Sequence, residues 1–211
     1  MTVPLNGRRA EAARNDGRIL DAAREVFLAD PSAPIAAVAT NAGVGISALY
    51  RRYPSKQHLL QELAKDGLTR FIADLKVALA DDGDPWNAYT ACLRRVLDGR
   101  SQALAQRLAG TFPPTAELTA LAARAGKLHD TLHRRTQRAK ALRKDVSTAD
   151  ITLLLEAIMV IEMPGADRGT ALRRRYLALI LQSLRATHAD RLPGPAAAEN
   201  DLNARWRSKE T

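Results

Sequence analysis

The chain has 211 residues, and its 32 Lys and Arg residues against 23 Asp and Glu residues give a formal net charge of +9. Apolar residues make up 46 % and charged residues 26 %, a composition that is typical of globular proteins and excludes a disordered one. The single cysteine, Cys92, excludes an intramolecular disulfide framework and a cysteine-rich zinc site. The positive charge favours a polyanionic partner. We expect a soluble, cytoplasmic protein, because no apolar stretch suits a membrane span or a secretory signal.

The spacing of apolar residues predicts three short helices at the start of the chain. A core-facing stripe begins at about residue 12 and consists of Ile19, Ala22, Ala23, Val26 and Phe27. Pro31 and Pro34 separate this helix from the next one, which Gly43 closes in a left-handed conformation. A third helix is predicted at 46–53. Residues 1–11 are polar and small, and we expect them to be flexible.

Longer helices are predicted in the rest of the chain. One follows the N-cap residue Ser55 and ends near Ala80; its length of about 38 Å is enough to connect two modules. Ser147 and Asp150 have the spacing of a capping box. Residues 189–211 are expected to form a flexible tail. The remaining helices are predicted at 86–97, 102–108, 115–144, 148–163 and 171–187. No strand-like alternation occurs, so the predicted fold class is all-α.

Residues 38–53 have the pattern of a helix–turn–helix. Ala39 and Ala42 are small enough for the second helix to cross closely, Gly43 makes the turn, and Val44 and Leu49 fill the joint. The second helix of such a motif lies in the major groove of DNA. Its predicted solvent face consists of Gly45, Ser47, Ala48, Arg51 and Arg52.

Two side chains of this helix are of types that contact the edges of DNA bases, and several others are of types that contact DNA phosphates. Ser47 can bond to either base type, and Ala48 fits a thymine methyl group. Phosphate contacts set the register of a protein on DNA more than its sequence preference. The residues predicted to make them are Tyr50, Arg51, Arg52 and Lys56.

A longer pattern extends the motif in both directions. It consists of Arg18-Ile19-Leu20-Asp21-Ala22-Ala23, Phe27, Val38-Ala39, Ala42-Gly43-Val44, Leu49-Tyr50-Arg51-Arg52-Tyr53-Pro54-Ser55-Lys56 and Leu59-Leu60. This pattern resembles the DNA-binding region of tetracycline-repressor (TetR) family transcriptional regulators. The resemblance covers residues 12–70, with the helix–turn–helix at about 34–53. It implies that 71–188 form a helical domain for dimerisation and ligand binding, joined to the DNA-binding domain by a long helix.

The resemblance also implies a function. Family members bind double-stranded operator DNA as homodimers, and a small-molecule inducer releases the repressor. By position in the motif, Tyr50 and Lys56 match phosphate contacts and the second helix matches the groove-facing one. The candidate DNA-binding residues are Ser32, Thr40, Gly45, Ile46, Ser47, Ala48, Tyr50, Arg51, Arg52 and Lys56.

Three positions depart from the family pattern. The joint after Phe27 is short and contains Asp30-Pro31 where a glycine is common. Gly45 replaces the usual Ser or Thr, although glycine at an N-cap costs only a few tenths of a kcal/mol relative to serine. Ala33-Pro34 occupies the place of a phosphate-binding hydroxyl, which leaves Ser32 as a substitute.

Two features of the C-terminal half predict a dimer and a ligand site. The helices at 148–163 and 171–187 are apolar nearly all round, so we expect them to pack against their copies in a second subunit. The predicted interface residues are Leu155, Ile158, Tyr176, Leu177, Ile180 and Leu184. A ligand cavity is predicted among the middle helices, with ordinary core as the alternative for each residue. Its lining would be Trp86, Tyr89, Phe112, Leu128, His129, Leu132, His133, Met159 and Met163, with Arg135 or Glu162 as further polar contacts.

Other functions have less support in the residues. His129 and His133 have the i, i+4 spacing of zinc ligands, but no third ligand accompanies them, and we expect no metal. Asp130 and Glu156 have no paired nucleophile or positioned base, so we expect neither an enzyme nor a cofactor. A basic protein that binds nucleic acid without sequence preference, or a membrane surface, is the other alternative. Arg8-Arg9 is interpreted either as a minor-groove arm or as a solvated terminus.

The positive charge is unevenly divided along the chain. Residues 1–56 carry a net +3, 124–144 carry +7, 145–167 carry −5 and 168–188 carry +5. Two basic segments thus flank an acidic one, which favours charge pairing between neighbouring helices, with attraction of an anionic ligand as the alternative. Most of the excess charge lies outside the helix–turn–helix.

Overall fold

The computed structural model describes residues 5–99, 111–161, 163, 166–187 and 190–203. Within these ranges, one isolated bridge between Leu142 and Arg185 is the only extended pairing. The helices are α1 (Leu5–Ala29), α2 (Ile35–Ala42), α3 (Ile46–Arg52), α4 (Lys56–Ala80), α5 (Pro85–Gly99), α6 (Ala116–Arg138), α7 (Thr148–Met159), α8 (Ala166–Ser183) and α9 (Glu199–Asn203). The predicted all-α class is confirmed. The chain divides into two compact units, residues 1–64 and 65–211.

The first unit is built on the apolar faces of α1, α2 and α3. Four residues of the predicted stripe on α1 are buried: Ile19, Ala22, Ala23 and Phe27. The fifth, Val26, is half-buried. The later elements of this unit contribute Ile35, Val38, Ala39, Ala42, Leu49, Tyr53, Leu59, Leu60 and Leu63 to the same core.

Gly43 makes the turn between α2 and α3. Its φ of 63° and ψ of 39° are the left-handed conformation that the sequence predicts. The amides of Gly43 and Val44 bond back to carbonyls of α2 at 3.2 and 3.0 Å. Arg18 of α1 donates from Nη2 to the carbonyl of Ala42 at 2.7 Å. These bonds close the end of α2 and fix the direction in which the chain enters α3.

Several helix ends differ from the predicted ones. α1 begins at Leu5 rather than near residue 12, so Arg8 and Arg9 belong to a helix and not to an extended arm. α6 ends about six residues early, because Lys140 takes a φ of 56° that a helix cannot continue. α8 begins and ends a few residues before its predicted bounds. The helix predicted at 102–108 lies outside the described residues.

The capping box before α7 is confirmed. The Ser147 hydroxyl accepts from the Asp150 amide at 3.0 Å, and the Asp150 carboxylate accepts from the Ser147 amide at 2.8 Å. The same two side chains bond to the backbone of Ala197, at 2.7 and 2.9 Å. Asp145 accepts from the amide of Leu192 at 3.1 Å. Within the segment expected to be a flexible tail, Ala197 is therefore hydrogen-bonded to the start of α7 and Leu192 to the residue Asp145 that precedes it.

The second unit has its own core between α5, α6, α7 and α8. Its most deeply buried side chains include Tyr89, Leu97, Leu132, Leu142, Ile151 and Leu155. Trp86 is also buried, and the Arg185 guanidinium carbon lies 4.5 Å from the centre of its ring. Among the described residues, every helix is too short or too polar to cross a membrane.

Replacing Gly43 by Ala tests whether the turn requires a left-handed residue. We expect Gly43→Ala to lower the free energy of unfolding by about 1–2 kcal/mol, because an L-residue is strained at this positive φ. Gly17→Ala is the matched control. Gly17 lies within α1 with open space around its Cα, so alanine there should stabilise by roughly 0.5–1 kcal/mol. Urea unfolding followed by circular dichroism measures both, and equal effects would contradict the assigned turn.

Candidate functional site

Helix α3 exposes almost its whole surface. Leu49 is completely buried, whereas the other residues of the helix are exposed. Two of these are large: Ile46 is 40 % exposed and Tyr50 is 46 % exposed. Gly45 precedes the helix as its N-cap, and its carbonyl accepts from the amides of Ala48 and Leu49 at 2.9 and 3.1 Å. A short helix seated by one side chain thus presents a broad surface to a partner.

Most of the predicted DNA-binding residues lie on or beside this surface. Gly45, Ile46, Ser47, Ala48, Tyr50, Arg51 and Arg52 are exposed on α3 or at its start. Thr40 is exposed on α2, where its hydroxyl donates to the Ala36 carbonyl at 3.1 Å. Ser32 is exposed in the loop after α1, and its hydroxyl donates to Asp30 at 2.6 Å.

Lys56 has a different position from the one that the motif implies. Its Nζ donates to the carbonyls of Pro31 and Ala33, at 2.9 and 2.8 Å, and lies 5.1 Å from the centre of the Phe27 ring. The loop between α1 and α2 contains two prolines, which have no backbone N–H to donate, and Lys56 donates to two of the loop's carbonyls. The side chain is half-buried. In this structure Lys56 therefore holds the loop in place, and its contact with a phosphate stays a prediction.

Arg52 also has a partner within the first unit. Its Nε and Nη2 donate to the two carboxylate oxygens of Asp16 on α1, at 2.8 and 2.7 Å. Arg18 bonds to α2, as described above, and Arg24 bonds to Asp21 on its own helix at 2.7 Å. Within residues 15–64, Arg51 is the basic side chain without a protein partner. Sequence spacing does not reveal the pair of Arg52 and Asp16, since these residues are 36 positions apart.

In the second unit, His133 belongs to a fully satisfied chain of hydrogen bonds. Its Nε2 lies 2.9 Å from the Val146 carbonyl and its Nδ1 lies 3.1 Å from the Tyr89 hydroxyl. A carbonyl can only accept, so Nε2 carries the proton and Nδ1 accepts from Tyr89. Burial lowers the pKa of His133. Both ring nitrogens are engaged, so His133 is a core residue rather than a metal ligand.

His129 lies beside His133 but has an unpaired nitrogen. Its Nε2 is buried without a hydrogen-bond partner among the described residues. The ring centre is 5.7 Å from that of Phe71, in an edge-on arrangement, and 6.4 Å from that of His133. Burial, with a smaller contribution from His133, lowers the pKa of His129 to about 4. The imidazole is therefore neutral near pH 7 and keeps an unfilled hydrogen-bonding position.

The other predicted ligand-site residues are mostly core. Trp86, Tyr89, Phe112, Leu132 and Met159 are buried, and Leu128 is half-buried. Met163 is 47 % exposed, which does not fit a residue lining a cavity. Arg135 donates to the carbonyls of Leu79 and Asp81. Glu162 lies outside the described residues.

The residues predicted to form the dimer interface differ in their exposure. Leu155, Ile158, Leu177 and Leu184 are buried in the core of this chain and Ile180 is half-buried, so their place at a dimer interface stays a prediction. All five line a cavity of about 10 Å³, room for one water at most, together with Leu93, Ile151 and Leu154. Tyr176 is 45 % exposed, as an interface residue should be in the isolated chain. When a helix is apolar on all sides, its sequence does not identify the side that packs against the core. The exposed faces carry Leu153 and Val160 at α7, and Tyr176 and Leu179 on α8.

The first unit thus contains a helix–turn–helix with an exposed second helix, and the second unit is a helical core of its own. Residues 19–63 match the family model described as bacterial regulatory proteins, tetR family. These residues are therefore similar to the DNA-binding region of this family, as the pattern in the sequence indicates.

Individual relatives agree with this assignment. The HTH-type transcriptional repressor LfrR of Mycolicibacterium smegmatis is 39 % identical over 83 residues, which cover 39 % of this chain and 41 % of that protein. The match thus spans less than half of the relative. A TetR regulatory protein of Mycobacterium vanbaalenii is similar in structure, with a TM-score of 0.57, 29 % identity, and coverage of 84 % of this chain and 98 % of that one. The structure of LfrR from Mycobacterium smegmatis in complex with proflavine gives a TM-score of 0.63 at 23 % identity, covering 85 % and 99 %.

The buried His129 predicts a loss of stability in acid. Its pKa is about 4 in the folded chain and about 6.5 when unfolded, so the unfolded state binds more protons below pH 6.5. Between pH 7 and 5 the free energy of unfolding should therefore fall by about 2 kcal/mol through this residue. His133 should add to the loss, because burial lowers its pKa as well.

His129→Leu removes this contribution and should flatten the pH dependence by that amount. Urea unfolding at pH 7 and 5, followed by tryptophan fluorescence, measures it, since both tryptophans belong to residues 65–211. His58→Gln removes an exposed imidazole and is the control. A His129→Leu protein with the wild-type pH dependence would contradict the neutral buried state.

Proposed function

We propose that the protein is a sequence-specific repressor that binds operator DNA as a homodimer and is released by a small molecule bound in its helical body. It acts in the cytoplasm, and binding rather than catalysis is its role. The observation that carries the proposal is the surface of α3, where every residue except Leu49 is exposed. The fold and the match of residues 19–63 to the tetR family model support the same function.

In this proposal α3 lies in the major groove with its first turn against the bases. Ser47 and Ala48 are exposed and small, so the backbone can approach base edges closely. Ile46 adds an exposed apolar side chain at the same end. Tyr50 and Arg51 are the phosphate contacts, because Arg52 and Lys56 are engaged within the protein. The proposed interface therefore has fewer positively charged phosphate contacts than the sequence predicts.

The homodimer would form through the exposed apolar side chains of α7 and α8. Leu153 lies on α7 and Val160 is the residue that follows its last turn, while Tyr176 and Leu179 are three residues apart on one side of α8. Such side chains favour an isologous contact with a second copy. A dimer places two copies of α3 on successive major grooves when they are about 34–36 Å apart.

The ligand site would include His129. A buried ring nitrogen without a partner is destabilising by about 1–3 kcal/mol, and a ligand that bonds to it removes that penalty. A ligand releases the repressor only through a difference in its affinity for two conformations. α4 is the candidate route for such a change, because this single helix begins in the first unit and ends in the second.

The DNA interface is tested with Arg51→Ala and Lys56→Ala. Selection from random duplexes supplies the operator, and fluorescence anisotropy at several salt concentrations gives the salt slope, the fall of log affinity with log salt concentration. Arg51→Ala should reduce this slope by about 0.9, the contribution of one phosphate, and leave the unfolding free energy unchanged. Lys56→Ala should lower the unfolding free energy by about 2 kcal/mol, because two carbonyls lose a charged donor, and keep the wild-type slope.

The two variants serve as controls for each other. A reduced salt slope for Lys56→Ala in a stably folded protein would show that Lys56 leaves the loop to contact DNA. A selection that returns no preferred sequence would contradict the repressor and support non-specific binding.

The dimer is tested with Leu179→Glu. A charge in the centre of an apolar contact should convert the dimer to a monomer, which light scattering detects as a halving of the mass. Val77→Glu is the control, since Val77 is an exposed apolar residue of α4 outside the proposed face. A wild-type protein with the mass of one chain would rule out the dimer. An unchanged mass for Leu179→Glu would show that the dimer uses another face.

A further inference from the structure

The ion pair between Arg52 and Asp16 lies where it can affect DNA binding. Arg52 is the last residue of α3 and follows Arg51, the proposed phosphate contact. Its side chain is 60 % exposed, and that of Asp16 is 25 % exposed. The planar fork of the guanidinium matches both carboxylate oxygens, with distances of 2.8 and 2.7 Å. The same fork can bind a phosphate equally well.

Folding alone does not explain why this pair is present. Ion pairs this exposed contribute about 0–1 kcal/mol to stability. The burial of Leu49 and the turn at Gly43 already hold α3 in place. The main physical effect of Asp16 is therefore electrostatic. It neutralises a cation at the end of the helix that approaches DNA.

We propose that Asp16 limits the sequence-independent affinity of this surface for DNA by holding Arg52 in an internal ion pair. The proposal rests on the DNA interface proposed above. Each phosphate that a protein neutralises releases counterions and adds about 0.9 to the salt slope. A paired Arg52 contributes nothing to this term, whereas a released Arg52 would add one phosphate contact on any sequence. With Lys56 also engaged, recognition depends more on the bases that α3 reads and less on charge.

The test compares wild type, D16N, R52Q and the double variant D16N/R52Q. Each protein is titrated with a random-sequence duplex of about 24 base pairs, by fluorescence anisotropy, at salt concentrations between about 50 and 200 mM. D16N should bind more tightly, with a salt slope steeper by about 0.9, so its loss of affinity over this range should be about 3.5-fold greater than that of wild type. R52Q alone should keep the wild-type slope. In the D16N background, R52Q should abolish the increase.

Two further variants complete the design. D16A removes both acceptor oxygens, so it should reproduce the steeper slope even if an asparagine side chain still bonds to Arg52. D21N is the matched control, because Asp21 is an acidic residue of the same helix whose partner, Arg24, has a side chain only 11 % exposed. D21N should keep the wild-type slope. Circular dichroism verifies that each variant is folded.

Different results overturn different statements. Unchanged slopes for both D16N and D16A contradict the role of Asp16 while leaving the DNA interface intact. A slope that R52Q alone reduces by about 0.9 also contradicts it, because Arg52 would then contact phosphate while paired. If the wild-type protein binds neither this duplex nor any selected sequence, the DNA interface itself fails.

Discussion

The burial of Leu49 is the constraint on which the DNA-binding surface depends. A helix of seven residues is too short to be stable alone, so α3 must be held by its surroundings. Leu49 is its only completely buried side chain, and Gly43 and Arg18 fix the chain just before it. Because Leu49 is the one side chain of α3 that enters the core, the exposed residues at the start of the helix can face a partner. Recognition residues can therefore vary without repacking the core.

Several of the basic side chains form hydrogen bonds or ion pairs inside the protein. In the first unit, Arg18 and Lys56 bond to backbone carbonyls. In the second, Arg135 does the same, Arg143 pairs with Asp145, and the Arg174 side chain donates to Asp98 at 2.9 Å. Among these contacts, the pair of Arg143 and Asp145 joins the basic segment 124–144 to the acidic segment 145–167. A pI of about 10.2 thus gives little information about where DNA is bound.

The sequence predicts the local features of the fold well and the long-range contacts poorly. The left-handed Gly43 and the capping box of Ser147 and Asp150 follow from neighbours in the chain, and both are observed. The bonds of Lys56 join residues 23 and 25 positions apart, and no local pattern predicts them. The motif predicts a surface contact for Lys56 from its position in the sequence. It contains no information about the carbonyls of Pro31 and Ala33, which accept hydrogen bonds from the same side chain.

The exposed faces of α7 and α8 show a related limit. When apolar residues occupy the whole circumference, periodicity no longer identifies the buried side. Leu155 and Leu177 turn inward because α7 and α8 pack on each other and on Leu93 of α5. Tyr176 and Leu179 are then left outside by geometry. The sequence could predict that these helices have two apolar sides, but only the packing decides which side remains for a second copy.

The two adjacent histidines of the body differ in a way that bears on ligand binding. Both ring nitrogens of His133 are hydrogen-bonded, to Tyr89 and Val146, so neither is available to bond to a ligand. His129 has the same residue type and a similar burial, yet its Nε2 is unpaired. An unfilled polar position inside a tight core is destabilising by itself, and it persists because the packing around it is favourable. In the proposed function, a ligand with one hydrogen-bonding group would bond to this nitrogen beside Phe71. Binding there would couple ligand recognition to the stability of the helices that hold α4.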